Sequence, residues 1–143
     1  MGRVVGIDFG TKRMGLAVSD PEKKIAIPFA VVERKDFQKK WVEELKSALA
    51  VYLKDMETIV IGLPLLMKNE EGDRAALVKA FAKELEEFFH LPVVLWDERL
   101  SSMQADRALK ELSLNRKKRT EKVDMIAATF LLQSYLDCKS FSK

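Results

Sequence analysis

Two short apolar runs, TIVIGL at 58–63 and PVVLW at 92–96, flank a stretch of helical periodicity, and that spacing constrains the fold more than any other feature. Each run is too short for a helix and too uniformly apolar for a half-exposed strand, so each suits a strand buried on both faces. Between them, residues 75–89 carry an apolar stripe through Leu77, Val78, Phe81, Leu85 and Phe88. Strand, helix and strand in that order imply parallel strands joined by a crossover.

The pattern ahead of them differs. Residues 3–8 and 14–19 read as strands joined by a tight loop at Gly10, hence an antiparallel hairpin, and 25–32 as a third strand. Pro28 pushes that third strand toward an edge or a bulge, because proline has no N–H for a ladder. Residues 36–53 show a helical stripe through Phe37, Trp41, Val42, Leu45, Leu49 and Leu53. Farther on, Ser101 or Ser102 can cap a helix running to 112, and Thr120 can cap a last one with Asp124 in its first turn. The basic stretch 113–119 reads as a loop. The expectation is an α/β fold in one domain spanning 1–143, with helices on both faces of a mixed five-stranded sheet. That sheet combines a three-strand antiparallel meander with two parallel strands.

Composition removes several chemistries. The single His90 and single Cys138 cannot supply an all-His/Cys zinc site within one chain, and a Ser-His-Asp or Cys-His arrangement would have to use His90. One cysteine also excludes an internal disulfide and fits a reducing cytosol. No apolar run approaches the ~20 residues needed to span a bilayer, and the N-terminus passes into a strand pattern without a signal-peptide core. A cytoplasmic protein that does not engage membranes is expected. The net charge of +3 is small but uneven. Arg116, Lys117, Lys118 and Arg119 form a basic cluster, which suits either a solvated face or contact with a polyanion.

Three acidic positions stand where a sheet protein gains no stability from them. Asp8 closes the first strand, Asp97 and Glu98 close the last one, and Asp124 lies on or beside the apolar stripe of the final helix. Open sheets collect ligands outside the carboxyl ends of their strands, so Asp8 and Glu98 can share that edge. Small residues at Ala127 and Ala128 would let the final helix lie close to the sheet and aim Asp124 at the same point. Clustered carboxylates repel and need a cation, and an oxygen-only set favours Mg²⁺ or Mn²⁺ over zinc. One or two such ions would suit phosphodiester hydrolysis. Taken singly, each acid also fits a plain surface ion pair, such as Glu98 with Arg99.

These residues resemble the YqgF/RuvX family of the RNase H-like superfamily. GIDFGTKRMGLAVSD at 6–20 resembles the family's opening motif, GLPLLM with the later Gly72 and FAKEL its central segment, DERLSS its third motif, and VDMIAATFLLQSYL its final helix. The match covers nearly the whole chain. It departs at Lys68-Asn69, where the family has Asp-Gly or similar, and at Ser101-Ser102, which replace a threonine pair. The resemblance implies an RNase H-like, metal-dependent nuclease with Asp8, Glu98 and Asp124 as catalytic, metal-holding acids. Asp97 is the substitute for Glu98, since adjacent strand residues point oppositely. Lys12, Arg13, Arg99 and the cluster Arg116 to Arg119 would hold the phosphate backbone.

The leading expectation is therefore an endonuclease processing the 5′ end of pre-16S rRNA in ribosome biogenesis, with a pre-ribosomal particle as a possible partner. The alternative is a Holliday junction resolvase acting on branched DNA, which would need a homodimer rather than a monomer to cut two strands symmetrically. A third reading is a non-catalytic nucleic-acid or nucleotide-binding module, because DFGTKR also resembles the first phosphate loop of actin-like ATPases and sugar kinases. Those enzymes close two lobes around a nucleotide, and 143 residues supply one.

Overall fold

The strand β1 (Arg3–Phe9) organises the sheet, because it pairs on both sides and its side chains alternate between two buried layers. The computed structural model describes residues 2–10, 12–34, 40–63, 73–97 and 116–141, with side chains for all of these except 73, 116–122 and 141. The other strands are β2 (Arg13–Ser19), β3 (Ala26–Glu33), β4 (Met56–Leu63) and β5 (Val93–Asp97). Helices are α1 (Trp41–Ala48), α2 (Asp73–Phe89) and α3 (Arg116–Phe141). Spatial order is β3-β2-β1-β4-β5. The first three strands pair antiparallel, while β4 runs parallel to both β1 and β5, as the spacing of the two apolar runs requires. β5 departs from the expected burial on both faces, being an edge strand with Leu95 37% exposed.

Turn chemistry sets the register of the meander. A Cβ on Gly10 would stand 2.6 Å from the carbonyl oxygen of Arg13, so the first turn needs glycine there. This turn seats Asp8 opposite Gly15 and Phe9 opposite Met14. At the next turn, Asp20 Oδ1 accepts from the main-chain N–H groups of Lys24 (2.7 Å) and Ile25 (2.9 Å). These bonds hold the Asp20 carboxyl below its usual pKa, Ile25 contributing most. Pro28 acts as its chemistry demands: β3 is an edge strand, and its register with β2 shifts beside Pro28, where Leu16 faces Ala30 and Ala17 faces Pro28.

The two faces of the sheet are packed differently. Val5, Ile7 and Phe9 of β1, Met14, Leu16 and Val18 of β2, and Ile59 and Ile61 of β4 project toward α1 and α2. There they meet Trp41, Leu45, Val78, Phe81 and Leu85, and Phe9 stacks at a tilt on both Trp41 and Phe81. Each such buried side chain contributes about 1.5–3 kcal/mol. The opposite face carries Val4, Gly6, Ala17 and Val60 against Ala128, Leu132, Tyr135 and Leu136 of α3. Side chains are small here because α3 lies almost on the strands. A Cβ on Gly6 would stand 2.8 Å from Leu132 Cβ and 3.2 Å from the Ala128 carbonyl oxygen.

Helix boundaries differ from expectation in two places. The stripe at 36–53 predicted one long helix, but α1 spans only Trp41–Ala48 and gives way to a 3₁₀ turn at Ala50–Tyr52; residues 35–39 lie outside the described part. Leu49 must stay in the core while Val51 is 81% exposed, and the tighter turn reconciles the two on the way into β4. At the other end, Thr120 is not a cap and Arg116 to Arg119 are not a loop: the helix is already formed at Arg116 and continues to Phe141. Arg and Lys are strong helix formers, and that propensity outweighs the capping preference of Thr120. Asp124 thus lies more than two turns inside α3 rather than in its first. The expected helix following Ser101 and Ser102, and the loop of 64–72 with Lys68-Asn69, lie outside the described residues.

Candidate active site at the carboxyl edge of the sheet

Alternation along β1 assigns the face of Asp8. Since Ile7 and Phe9 face α1 and α2, Asp8 projects toward α3, half-buried at the carboxyl end of the strand. Its register partner is Gly15, with the two Cα atoms about 4.5–5.5 Å apart. Directly over Gly15 runs the backbone of α3 at Asp124. A Cβ on Gly15 would collide with the Asp124 carbonyl group and stand 2.9 Å from the Met125 nitrogen. The lack of a side chain at position 15 is what lets α3 bring Asp124 down beside Asp8.

Arg13 completes this group. It begins β2 and alternates onto the α3 face with Gly15. Its Nε donates to Asp124 Oδ2 at 2.5 Å, with the two side chains 32% and 22% exposed. A cation therefore already sits on Asp124. Lys12 is exposed beside it, and its carbonyl accepts the Arg34 N–H at 2.8 Å, which ties the end of β3 to this edge.

The structure thus brings together Asp8, Asp124, Lys12 and Arg13 of the residues singled out from sequence. Asp97 is placed elsewhere. Its neighbour Trp96 faces α3, donating from Nε1 to Ser134 Oγ at 3.1 Å and packing edge-on against Tyr135, so Asp97 projects to the face away from Asp8. Glu98 and Arg99 lie outside the described residues, as do the side chains of Arg116, Lys117, Lys118 and Arg119. Among the described residues no group of three or more His, Cys, Asp or Glu is positioned to hold a metal ion. The described donors at this edge are carboxylates alone: His90 ends α2 with a positive φ of 56°, and Cys138 is exposed in the last turns of α3. That chemistry fits a hard, oxygen-binding cation.

Sequence reasoning missed two further arginines. Arg74, in the first turn of α2, donates from Nη2 to the Phe9 carbonyl at 2.8 Å and so buttresses the Phe9–Gly10 peptide, one residue beyond Asp8. Arg34 follows β3 and lies over the Trp41 ring at 5.3 Å. It follows Glu33, the register partner of Arg13, and so emerges at the same edge.

A sheet in the order β3-β2-β1-β4-β5, with an acid ending β1 and a second acid delivered by the last helix, defines the RNase H-like fold. The same fold occurs in Thermus thermophilus RuvC, solved in complex with a Holliday junction substrate, which covers 98% of both chains at TM-score 0.51 and 19% identity. The chain belongs to the RuvX family, described as Holliday junction resolvase, whose model matches residues 2–138. A relative from Protochlamydia amoebophila, named "Putative pre-16S rRNA nuclease", is 45% identical over 141 residues, covering 96% of this chain and 94% of its own. A relative of the same name from Syntrophomonas wolfei is 43% identical over 143 residues, covering 99% and 98%. Among the described residues no helix is long and apolar enough to cross a membrane.

Proposed function

We propose that this protein is a divalent-metal-dependent endonuclease that processes the 5′ end of pre-16S rRNA in the cytoplasm, with the pre-ribosomal particle as its setting. The observation that carries the reading is the convergence of Asp8 and Asp124 over Gly15 at the carboxyl edge. Two acidic residues are brought to one edge there by backbone contact, at a place where burial alone would favour apolar side chains. The name shared by relatives 43–45% identical over nearly the whole chain supports the RNA substrate.

Asp8, Asp124 and a third acid would hold Mg²⁺ or Mn²⁺, as one or two ions. We assign the third position to Glu98 and not Asp97, because Asp97 projects away from Asp8 and a period of two favours its neighbour. Held there, such an ion would supply an activated water and charge stabilisation for the leaving oxygen of a phosphodiester. Lys12, Arg13, Arg99 and the cluster Arg116, Lys117, Lys118 and Arg119 supply positive charge for the phosphate backbone, and Arg74 keeps the main chain after Asp8 in place.

Resolution of branched DNA is the second reading, favoured by the family description and by the shared fold with RuvC. The two are separated by offering the protein precursor 16S rRNA and a four-way DNA junction with Mg²⁺, while measuring its mass in solution on each. Cleavage confined to the RNA is expected. Symmetric cutting of the junction by a dimer would replace the first reading with the second, and cleavage of neither would overturn both.

A further inference from the structure

Arg13 occupies the carboxylate that the proposed metal site needs. Its Nε meets a single oxygen of Asp124 at 2.5 Å, on the face shared with Asp8. Two features make this more than a surface ion pair. The guanidinium starts from β2 and the carboxylate from α3, 111 residues apart, so the contact exists only because α3 sits down on Gly15. Both groups are also partly buried, where charges interact more strongly than in water.

We propose that Arg13 is the resident counter-ion of Asp124, a positioning residue that competes with the divalent cation for this carboxylate. This rests on the metal-site reading above. Asp8 and Asp124 are like charges on one face of this edge; the guanidinium offsets the charge of Asp124 and fixes its rotamer. An arriving cation takes over the neutralising role, and Arg13, still at the edge beside Lys12, becomes available to a phosphate oxygen. Guanidinium suits both partners, because carboxylate and phosphate present similar paired acceptors. Metal loading and backbone binding are thereby coupled through one side chain.

The test uses the full chain without nucleic acid and titrates Mn²⁺ by electron paramagnetic resonance or calorimetry. Removing a competing positive charge should tighten Mn²⁺ binding in Arg13→Gln by about three- to tenfold, whereas Arg13→Lys, which keeps the charge, should stay near wild type. A residue that merely held the fold together would weaken Mn²⁺ binding when removed. In Ca²⁺, Arg13→Gln should also bind RNA several-fold more weakly, with a shallower salt dependence. Unchanged or weakened Mn²⁺ affinity in Arg13→Gln, with binding lost in Asp124→Asn, would overturn the counter-ion role and leave the metal site standing. Wild-type Mn²⁺ affinity in Asp124→Asn would overturn the metal site itself.

Discussion

The two faces of the sheet are built on opposite principles. Toward α1 and α2 the strands present Ile7, Met14, Leu16, Ile59 and Ile61, all fully buried, and the helices stand off on these large side chains. Toward α3 they present Gly6, Gly15 and Ala17, and the helix backbone comes down onto the strands. The first face stores stability in apolar area. The second gives up area for closeness, and both acids of the candidate site lie on it. The larger core and the candidate site are thus separated by the thickness of one sheet, and mutations on the two faces should fail in different ways.

The largest loss of stability should come from the first face. Ile61→Ala removes a fully buried side chain from the centre of β4 and should cost about 2–5 kcal/mol in chemical denaturation. Activity per folded molecule should stay near wild type. A fall in specific activity matching that of a site mutant would show that the faces are not independent.

Gly15→Ala should behave in the reverse manner. Its methyl would collide with the Asp124 carbonyl, a main-chain atom that can yield only if α3 lifts. A stability loss of about 1–3 kcal/mol is expected, smaller than for Ile61→Ala. Cleavage by the folded fraction should nevertheless fall much further, because Asp124 moves with the helix. Gly6→Ala is the milder comparison: its methyl meets Leu132 Cβ and the Ala128 carbonyl oxygen, a smaller overlap than at Gly15 and one that falls a turn or more beyond Asp124. Equal activity losses in both variants would refute the positioning role of Gly15.

The smallest effect belongs to Asp20, in the turn between β2 and β3. Its folded pKa lies below the unfolded value of about 3.9, so its contribution is complete above that pH. It disappears as pH falls through the lower, folded value. Asp20→Ala should lower the Tm slightly at neutral pH, and the gap to wild type should close in acid below about pH 4. A gap that persists at low pH would assign the effect to something other than the carboxylate.

Much of this was legible in the sequence because local patterns carried it. Two apolar runs with a helix between them specify parallel strands, and Pro28 marks an edge whatever the rest of the chain does. Asp8 stood out by breaking an apolar strand. The Arg13–Asp124 pair was not legible, since nothing within a window of neighbouring residues links positions 111 apart. Ala127 and Ala128 pointed to a close helix, and Ala128 is indeed fully buried, but the glycines that permit the approach were on the sheet. The start of α3 departs from the sequence expectation because Thr120 is a good cap in isolation, while the helix propensity of Arg116 to Arg119 outweighs it.

The convergence of Asp8 and Asp124 is tested most directly by Asp8→Asn, which preserves shape and removes one charge. Single-turnover cleavage of precursor 16S rRNA with Mg²⁺ should fall by on the order of 100-fold or more, with RNA affinity retained or tightened as a repulsive charge is lost. An Asp8→Asn protein that cuts at the wild-type rate would contradict the reading of this edge as a metal-dependent nuclease site.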